Sequence, residues 1–270
     1  MQNHLPEYTT PYDNHFNYRR DLMDLGPRFL MRTRLMFRFF PQNPQRILDI
    51  GCGDGFSLSL LAKKGFRADG IDASAEAIKL CAERVGQSAG HIECCFIEEF
   101  NPPELYDLLL CGEVLEHIQN DQAFLYEINR LAVIEGIFIL TVPLHMNLWS
   151  KADEKAGHFR RYSKSEIFSK LEKAGFAVSD YVVWGFPLTK YFTPFIRKQQ
   201  TEMITSSAAQ KPQKKMKLFI RFKPLLKPFR YLFMIDNLFN FTEKGVGIII
   251  KAIKVRGLWK NARSNQRSTL

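Results

Sequence analysis

The sequence predicts an α/β fold in which strands and helices alternate around one sheet. Three observations carry this. Residues 46–72 read as strand, glycine turn, helix and strand, which is one βαβ unit. Apolar runs of strand composition recur at 91–96, 106–112, 137–142 and 176–184. Between them lie segments whose apolar residues repeat at helical spacing, bounded by caps and glycine stops.

Each element has a local reason. Residues 1–40 are rich in aromatics and arginine, with His15-Phe16-Asn17-Tyr18-Arg19-Arg20 followed by a run from Phe29 to Phe40. Pro27 after Gly26 suits a helix start, because its missing N–H would be unpaired there anyway. One or two helices are expected to precede the sheet and cover it. The first strand, 46–50, ends in Asp49-Ile50 and runs into Gly51-Cys52-Gly53-Asp54-Gly55. Helix 56–64 follows, Gly65 stops it, and strand 66–71 ends at Asp72. Ser74 is an N-cap for helix 75–85, and Gly86 ends that helix. Strand 106–112 leads into Glu113-Val114-Leu115-Glu116-His117. The next helix opens near Asn120-Asp121 and presents Phe124, Leu125, Ile128 and Leu131 on one face. Gly136 precedes the strand at 137–142, and Pro143 stops it. Ser163 and Glu166 form a capping box for a helix that Gly175 closes. Residues 247–254 have strand composition and supply a last strand.

Composition bounds the partners. At 270 residues with 46% hydrophobic content, the chain suits one large domain or one with an insertion. Residues 1–14 are polar, so no signal peptide is expected, and no apolar run reaches the about 18 residues of a spanning helix. The five cysteines match no zinc spacing and read as buried thiols of a reducing compartment. The net charge of +10 is uneven: residues 1–186 carry −5, residues 187–245 carry +9 and residues 246–270 carry +6. A basic C-terminal third on a mildly acidic core suggests an anionic surface as partner, membrane or nucleic acid. In the basic stretch Lys and Arg alternate with Leu, Ile, Met and Phe, unlike the Gly/Ser/Asn of a flexible nucleic-acid arm. Nucleic acid is therefore not expected; the stretch either contacts an anionic membrane peripherally or packs on the domain as a lid with its lysines solvated. Pro224 and Pro228 exclude one long helix there and leave two short ones, the second over about 229–240.

The glycine turn separates two ligand classes. Dinucleotide sites want G-x-G-x-x-G; here Gly51, Gly53 and Gly55 stand at every second position after Asp49. The stretch ILDIGCGDG resembles motif I of class I S-adenosylmethionine (SAM) methyltransferases, and GIDAS, YDLLL and EVLEH support the resemblance. A narrower likeness is to bacterial type 11 methyltransferases associated with cell-surface glycan or lipid-linked glycan synthesis. HFNYRR, EVLEHIQNDQAF and TVPLHMNLWSKADEKAGHFRRYS with LEKAGF carry it. EVLEH is also similar to the ubiquinone O-methyltransferases.

The resemblance implies a Rossmann-like seven-stranded class I methyltransferase sheet, helices on both faces and an antiparallel last strand. The expected organisation is an N-terminal helical cap at 1–40, a SAM-binding core at 41–186, a basic helical insertion at 187–245, the last core strand at 246–256 and a basic tail at 257–270. It implies SAM as cofactor, held by Asp49, Gly51, Cys52, Gly53, Gly55, Asp72, Ala73, Phe96, Ile97 and Gly112. Asp72 would take the ribose hydroxyls, the glycine turn the cationic amino-acid end of SAM, and Phe96 or Ile97 the adenine. Tyr18, Arg19 or Arg20 could close over the cofactor from the N-terminal helices.

Methyl transfer from a sulfonium is an in-line substitution, so the protein must align the acceptor and, for a hydroxyl, remove a proton. His158, in Gly157-His158-Phe159-Arg160-Arg161-Tyr162, and His117, after the fourth strand, are the candidate bases; His145 is a weaker one. Arg160 and Arg161 could clamp a phosphate or carboxylate, and Trp149 and Tyr162 could stack on a sugar or quinone, or this loop could simply pack on the sheet. Glu113, Glu116 and His117 would share a face if a helix began at Glu113. Relatives in quinone synthesis can bind a divalent ion through this motif, but the reading assigns no metal. The acceptor is expected to be an oxygen of a small-molecule, glycan or lipid-linked compound, in the cytoplasm or on the inner membrane face. The rival readings are an N- or C-methyltransferase and an inactive SAM-fold protein that binds nucleic acid or a partner.

Overall fold

The computed structural model describes residues 27–191 and 233–256. Its centre is a seven-stranded sheet in the order β3-β2-β1-β4-β5-β7-β6. The strands are β1 (Ile47–Ile50), β2 (Ala68–Asp72), β3 (Ile92–Cys94), β4 (Tyr106–Gly112), β5 (Ala132–Pro143), β6 (Phe176–Trp184) and β7 (Gly247–Lys254). Neighbours from β3 to β5 pair in parallel. Only β7 runs against its neighbours, slotted between β5 and β6. The chain order reverses direction between β1 and β4, and a ligand crevice opens over the carboxyl ends of the strands at such a point.

Both faces of the sheet are covered, as near-continuous apolar strands require. One face packs α4 (Asp121–Leu131) and α6 (Lys164–Lys173) through Phe124, Leu125, Ile128, Ile167 and Leu171. The other packs α1 (Pro27–Phe37), α2 (Phe56–Lys63) and α3 (Ala75–Val85) through Met31, Leu35, Leu58, Leu61 and Cys81. Met31 and Leu35 share a cluster with Ile139, Trp184 and Ile249, so the N-terminal helix does cover the sheet.

The caps fall where the side chains place them. Ser74 accepts from the Ala77 amide at 3.2 Å, and Ser163 with Glu166 forms the reciprocal box at the start of α6. A further box, Ser150 with Asp153, opens the short α5 (Lys151–Lys155). Strand β5 begins at Ala132 rather than 137, because the chain leaves α4 directly into pairing with Tyr106. No helix among the described residues is long and apolar enough to cross a membrane. The five cysteines are free thiols; Cys52, Cys81 and Cys111 are buried, but Cys94 and Cys95 are half-buried. Of the expected cap, Tyr18, Arg19 and Arg20 lie outside the described residues, as do the basic tail and residues 192–232. Where a second helix was expected at about 229–240, the described part is a 3-10 turn, Phe233–Phe239.

Candidate functional site

The crevice is built from two halves. Over β1 and β2, Gly51, Gly53 and Gly55 all have positive φ, from 56° to 75°, which glycine reaches without steric cost. Gly51 must also lack a Cβ, since one would stand 2.4 Å from Val114 Cγ2 in the loop after β4. Gly55 has a packing job as well. A Cβ there would meet Cys81 Sγ at 2.6 Å, so Gly55 lets α2 and α3 approach. Cys52 is likewise a core residue by its side chain, which lies against Gly70.

The turn's amides exclude one ligand class. The Gly51 and Cys52 amides both donate to Ile71 O, at 2.8 and 3.0 Å, and the Gly53 amide donates to Asp72 Oδ2 at 2.9 Å. They are turned toward β2, so these three do not form the cradle of N–H groups that a pyrophosphate takes. Asp72 Oδ1 also accepts from Ser74 N at 2.9 Å. The carboxylate thus ties the glycine turn to the start of α3, and each oxygen keeps lone-pair capacity for a hydroxyl.

The charge here is acidic. Asp49 is 4% exposed, and its carboxyl is pushed up to about 7, first by burial and then by the neighbouring Asp72, with Arg32 acting in the opposite direction. Two carboxylates thus stand at the glycine turn, while Arg32 is paired with Glu113 and Arg84 with Asp54. Those acceptors fit the ammonium and sulfonium of SAM better than a phosphate. Ala73 and Phe96 are exposed beside Asp72 and after β3. The Ile97 side chain is 4% exposed inside the core and its carbonyl accepts from Arg130, so its side chain packs inward and its backbone amide is the part left for adenine. Gly112 ends β4 with open room around it; a Cβ would come no closer than 3.9 Å to Thr141 Oγ1.

Over β4 and β5 lies the second half. Glu113 has φ 60°, a strained position for a side chain-bearing residue. Its Oε1 accepts from Thr141 and its Oε2 pairs with Arg32 at 3.3 Å. The helix that would have grouped Glu113 with Glu116 and His117 does not form; a 3-10 turn, Leu115–His117, takes its place. The group that assembles is Glu116, His117 and His158. One ligand atom from each lies within 4.8 Å of the others, close enough to share a metal ion. The His117 and His158 rings meet edge to face at 4.6 Å. Glu116 is fully buried, with neither carboxylate oxygen hydrogen-bonded, and His158 Nε2 is 3.9 Å from Oε1. Burial first, and Glu113 second, push the Glu116 carboxyl well above the usual carboxylate range.

Asp153 stands on the other side of His158, with Oδ1 3.2 Å from Nδ1, an ion-pair distance without hydrogen-bond geometry. Burial works against its charge, but His158, Arg161 and Ser150 outweigh this and hold the carboxyl well below the usual range. Arg161 donates to Asp153 from Nε at 3.0 Å and Nη2 at 2.7 Å and is 6% exposed, so it is committed inside the protein and no clamp for a substrate. Tyr162 is fully buried and donates to Asp121 at 2.9 Å, which removes it as a stacking platform. Arg160 pairs with Asp121 at 2.9 Å but keeps partial exposure, and Trp149 donates to Glu154 at 3.3 Å. His145 contacts Glu243 O at 3.0 Å, and His91 pairs with Glu93 on β3.

Sequence reasoning missed Arg32 and Asp153. Nothing local marks Arg32, since an arginine on a helix is usually solvated. Asp153 had a signal, the Ser150-x-x-Asp153 cap spacing five residues before His158.

The chain matches the methyltransferase-domain family over residues 17–181. A ubiquinone biosynthesis O-methyltransferase from Rickettsia canadensis is 29% identical over 150 residues, which is 50% of this chain and 63% of that protein. The chain therefore spans less than two thirds of that relative. By structure it resembles Haemonchus contortus phosphoethanolamine N-methyltransferase 2, solved with phosphomonomethylethanolamine and S-adenosylhomocysteine. The TM-score is 0.61 at 18% identity, over 93% of this chain and 58% of that one. It also resembles the [4+2]-cyclase SpnF, with TM-score 0.59 at 18% identity over 84% and 82% of the two chains. At these identities the two structures speak for the fold alone. The family match, the strand order and the acidic glycine turn agree: the chain belongs to the methyltransferase-domain family, with the class I SAM-dependent fold.

Proposed function

We propose that this protein transfers a methyl group from SAM to an oxygen of a small-molecule or lipid-linked acceptor, with His158 as the proton acceptor. The observation that carries this reading is the Asp153–His158–Glu116 arrangement beside the SAM half of the crevice. When bound, SAM supplies the activated methyl group. Asp72 takes the ribose hydroxyls, and Asp49 faces the cationic end. Asp153, 3.2 Å from Nδ1, sets a negative charge beside the His158 ring, and Nε2 lies on the side of Glu116 and His117 to receive the acceptor's proton. Oxygen is favoured over nitrogen because a hydroxyl must lose a proton and a histidine is placed to take it, and because the Rickettsia relative is named for O-methylation. Its name makes a phenolic, quinone-like acceptor the first to try. With a lipid-linked or quinone-like acceptor, the work site we propose is the cytoplasmic face of the membrane.

A second reading has its own observation. The unpaired Glu116 oxygens and the 4.8 Å grouping with His117 and His158 suit a divalent cation that would polarise the acceptor oxygen. Calorimetry with SAM, S-adenosylhomocysteine and NAD, followed by label transfer to hydroxylated quinols with and without EDTA, tests both. SAM binding with transfer unaffected by EDTA supports the histidine route, and loss restored by magnesium or zinc supports the cation. Binding of NAD without SAM would refute the proposal.

A further inference from the structure

The carboxyl edge carries a second surface outside the crevice. Strand β6 leaves the sheet at Trp184 and β7 enters it at Gly247. The described chain between them forms two short pieces, 186–191 and 233–244. Asp236 is fully buried and locks the pieces together, its two carboxylate oxygens accepting from the Leu188 and Thr189 amides at 2.7 and 2.8 Å. On that support the aromatic rings form a ladder. Tyr191 and Phe239 each lie 6.1 Å from Phe186, and Phe241 lies 6.4 Å from Phe239. Lys190 and Lys244 stand 5.9 and 5.8 Å from the Phe186 ring centre, flanking the ladder.

The outer rings of this ladder face solvent, as does Leu238, the chain neighbour of Phe239. Tyr191 is 66% exposed, Leu238 71% and Phe241 83%. Scattered exposed hydrophobics are ordinary, but a contiguous group on a rigid support marks an interaction surface. Charge narrows the partner. The sequence between Tyr191 and Phe233 adds ten Lys/Arg and one acid. A second copy of this chain seated on the same face would bring its own Lys190 and Lys244 against these two lysines. Stacked bases would use the rings but leave Leu238 and Ile235 idle. An anionic bilayer uses all of it: aromatic and aliphatic side chains enter the headgroup–acyl boundary while lysines meet lipid phosphates.

We propose that Tyr191, Leu238 and Phe241, flanked by Lys190 and Lys244, dock this protein on an anionic lipid surface. The inference rests on the membrane location in the function proposed above, not on its chemistry. α1 joins surface and crevice: it packs on the 233–239 turn, and its Arg32 reaches Glu113. Docking would therefore turn the carboxyl edge toward the bilayer, where a lipid-linked acceptor resides.

The test is flotation of the full-length protein with vesicles of phosphatidylcholine alone and with phosphatidylglycerol added. Wild type should float with the anionic vesicles and be released by high salt. Leu238→Ser with Phe241→Ser should lower partitioning by about tenfold or more. Lys190→Gln and Lys244→Gln should each lower it about fivefold. Calorimetric SAM binding should be unchanged in all variants, which shows that they fold. Variants that float like wild type, equal flotation on both lipids, or wild type that stays in solution would each overturn the proposal. Release of the floated protein by competing RNA at constant ionic strength would overturn it in favour of nucleic acid. Normal flotation without methyl transfer would count against the chemistry alone.

Discussion

The two halves of the crevice are built in opposite ways. The SAM half is local. Asp49, Gly51, Gly53 and Asp72 come from one βαβ unit, and the Gly53–Asp72 hydrogen bond spans 19 residues. The acceptor half is assembled from afar: His158 and Asp153 arrive on the loop after β5, and Glu116 and His117 on the loop after β4. A local site is specified by spacing, since the strand–turn–helix geometry follows from the residues themselves. A distant one is specified by the fold, and here it depends on the Phe159 amide donating to Glu116 O at 2.8 Å to bring the loops together.

Breaking the distant half should have the largest effect. His158→Ala is expected to lower kcat about 10²–10⁴-fold, as loss of a general base does, while SAM affinity by calorimetry stays nearly constant. Asp153→Asn should move kcat in the same direction by less. Normal turnover in both variants would leave the cation or simple proximity as the source of rate.

Breaking the local half should do the reverse. If Asp72 takes the ribose hydroxyls as proposed, Asp72→Ala costs about 1.5–3 kcal/mol of binding, so SAM should bind roughly tenfold to over a hundredfold more weakly. The fold should feel the change too, because Asp72 also accepts from Gly53 and Ser74. A measurable fall in Tm should accompany the loss of affinity, and an unchanged Tm would show that these bonds are dispensable.

The same contrast decides what was legible. Strand order, caps and the glycine turn were readable because each rests on residues close in sequence. At Ile97, Gly55 and Cys52 the side-chain direction serves packing and leaves the backbone for a ligand, which a motif does not reveal because it gives position along the chain, not the direction of a side chain. Arg161 and Tyr162 look like binding residues until Asp153 and Asp121 are found beside them. Glu113 fits a helical triad until β4 ends in a left-handed residue instead.

Gly51 joins the halves, since it is the turn residue that Val114 covers. Gly51→Ala should destabilise the protein by about 1–3 kcal/mol through overpacking, on top of the strain of φ 70°. Adding Val114→Ala should return the overpacking part and leave the φ part. No recovery in the double variant, read by urea unfolding, would mean that backbone conformation alone sets the cost.

Asp49 provides the finest measurement of the local half, through pH. Its carboxyl sits near 7 in the folded protein, against 3.8 ordinarily. Because the folded value is raised, the unfolded chain loses its proton first. Asp49 therefore lowers stability as pH climbs from about 4 to about 7, and the penalty is constant above that. Asp49→Asn should remove this slope and leave the protein more stable at neutral pH than wild type. Binding gives the opposite sign. The cationic end of SAM favours the ionised carboxylate, so binding below pH 7 must release a proton. SAM affinity should rise about tenfold between pH 6 and 7.5, since one pKa unit corresponds to about 1.4 kcal/mol. Calorimetry in two buffers of different ionisation enthalpy counts the released proton directly. Asp49→Asn should bind SAM more weakly at pH 7.5 and show no such release. If wild type releases no proton at pH 6, Asp49 does not face the cationic end, and the acidic glycine turn must be explained by Arg32 alone.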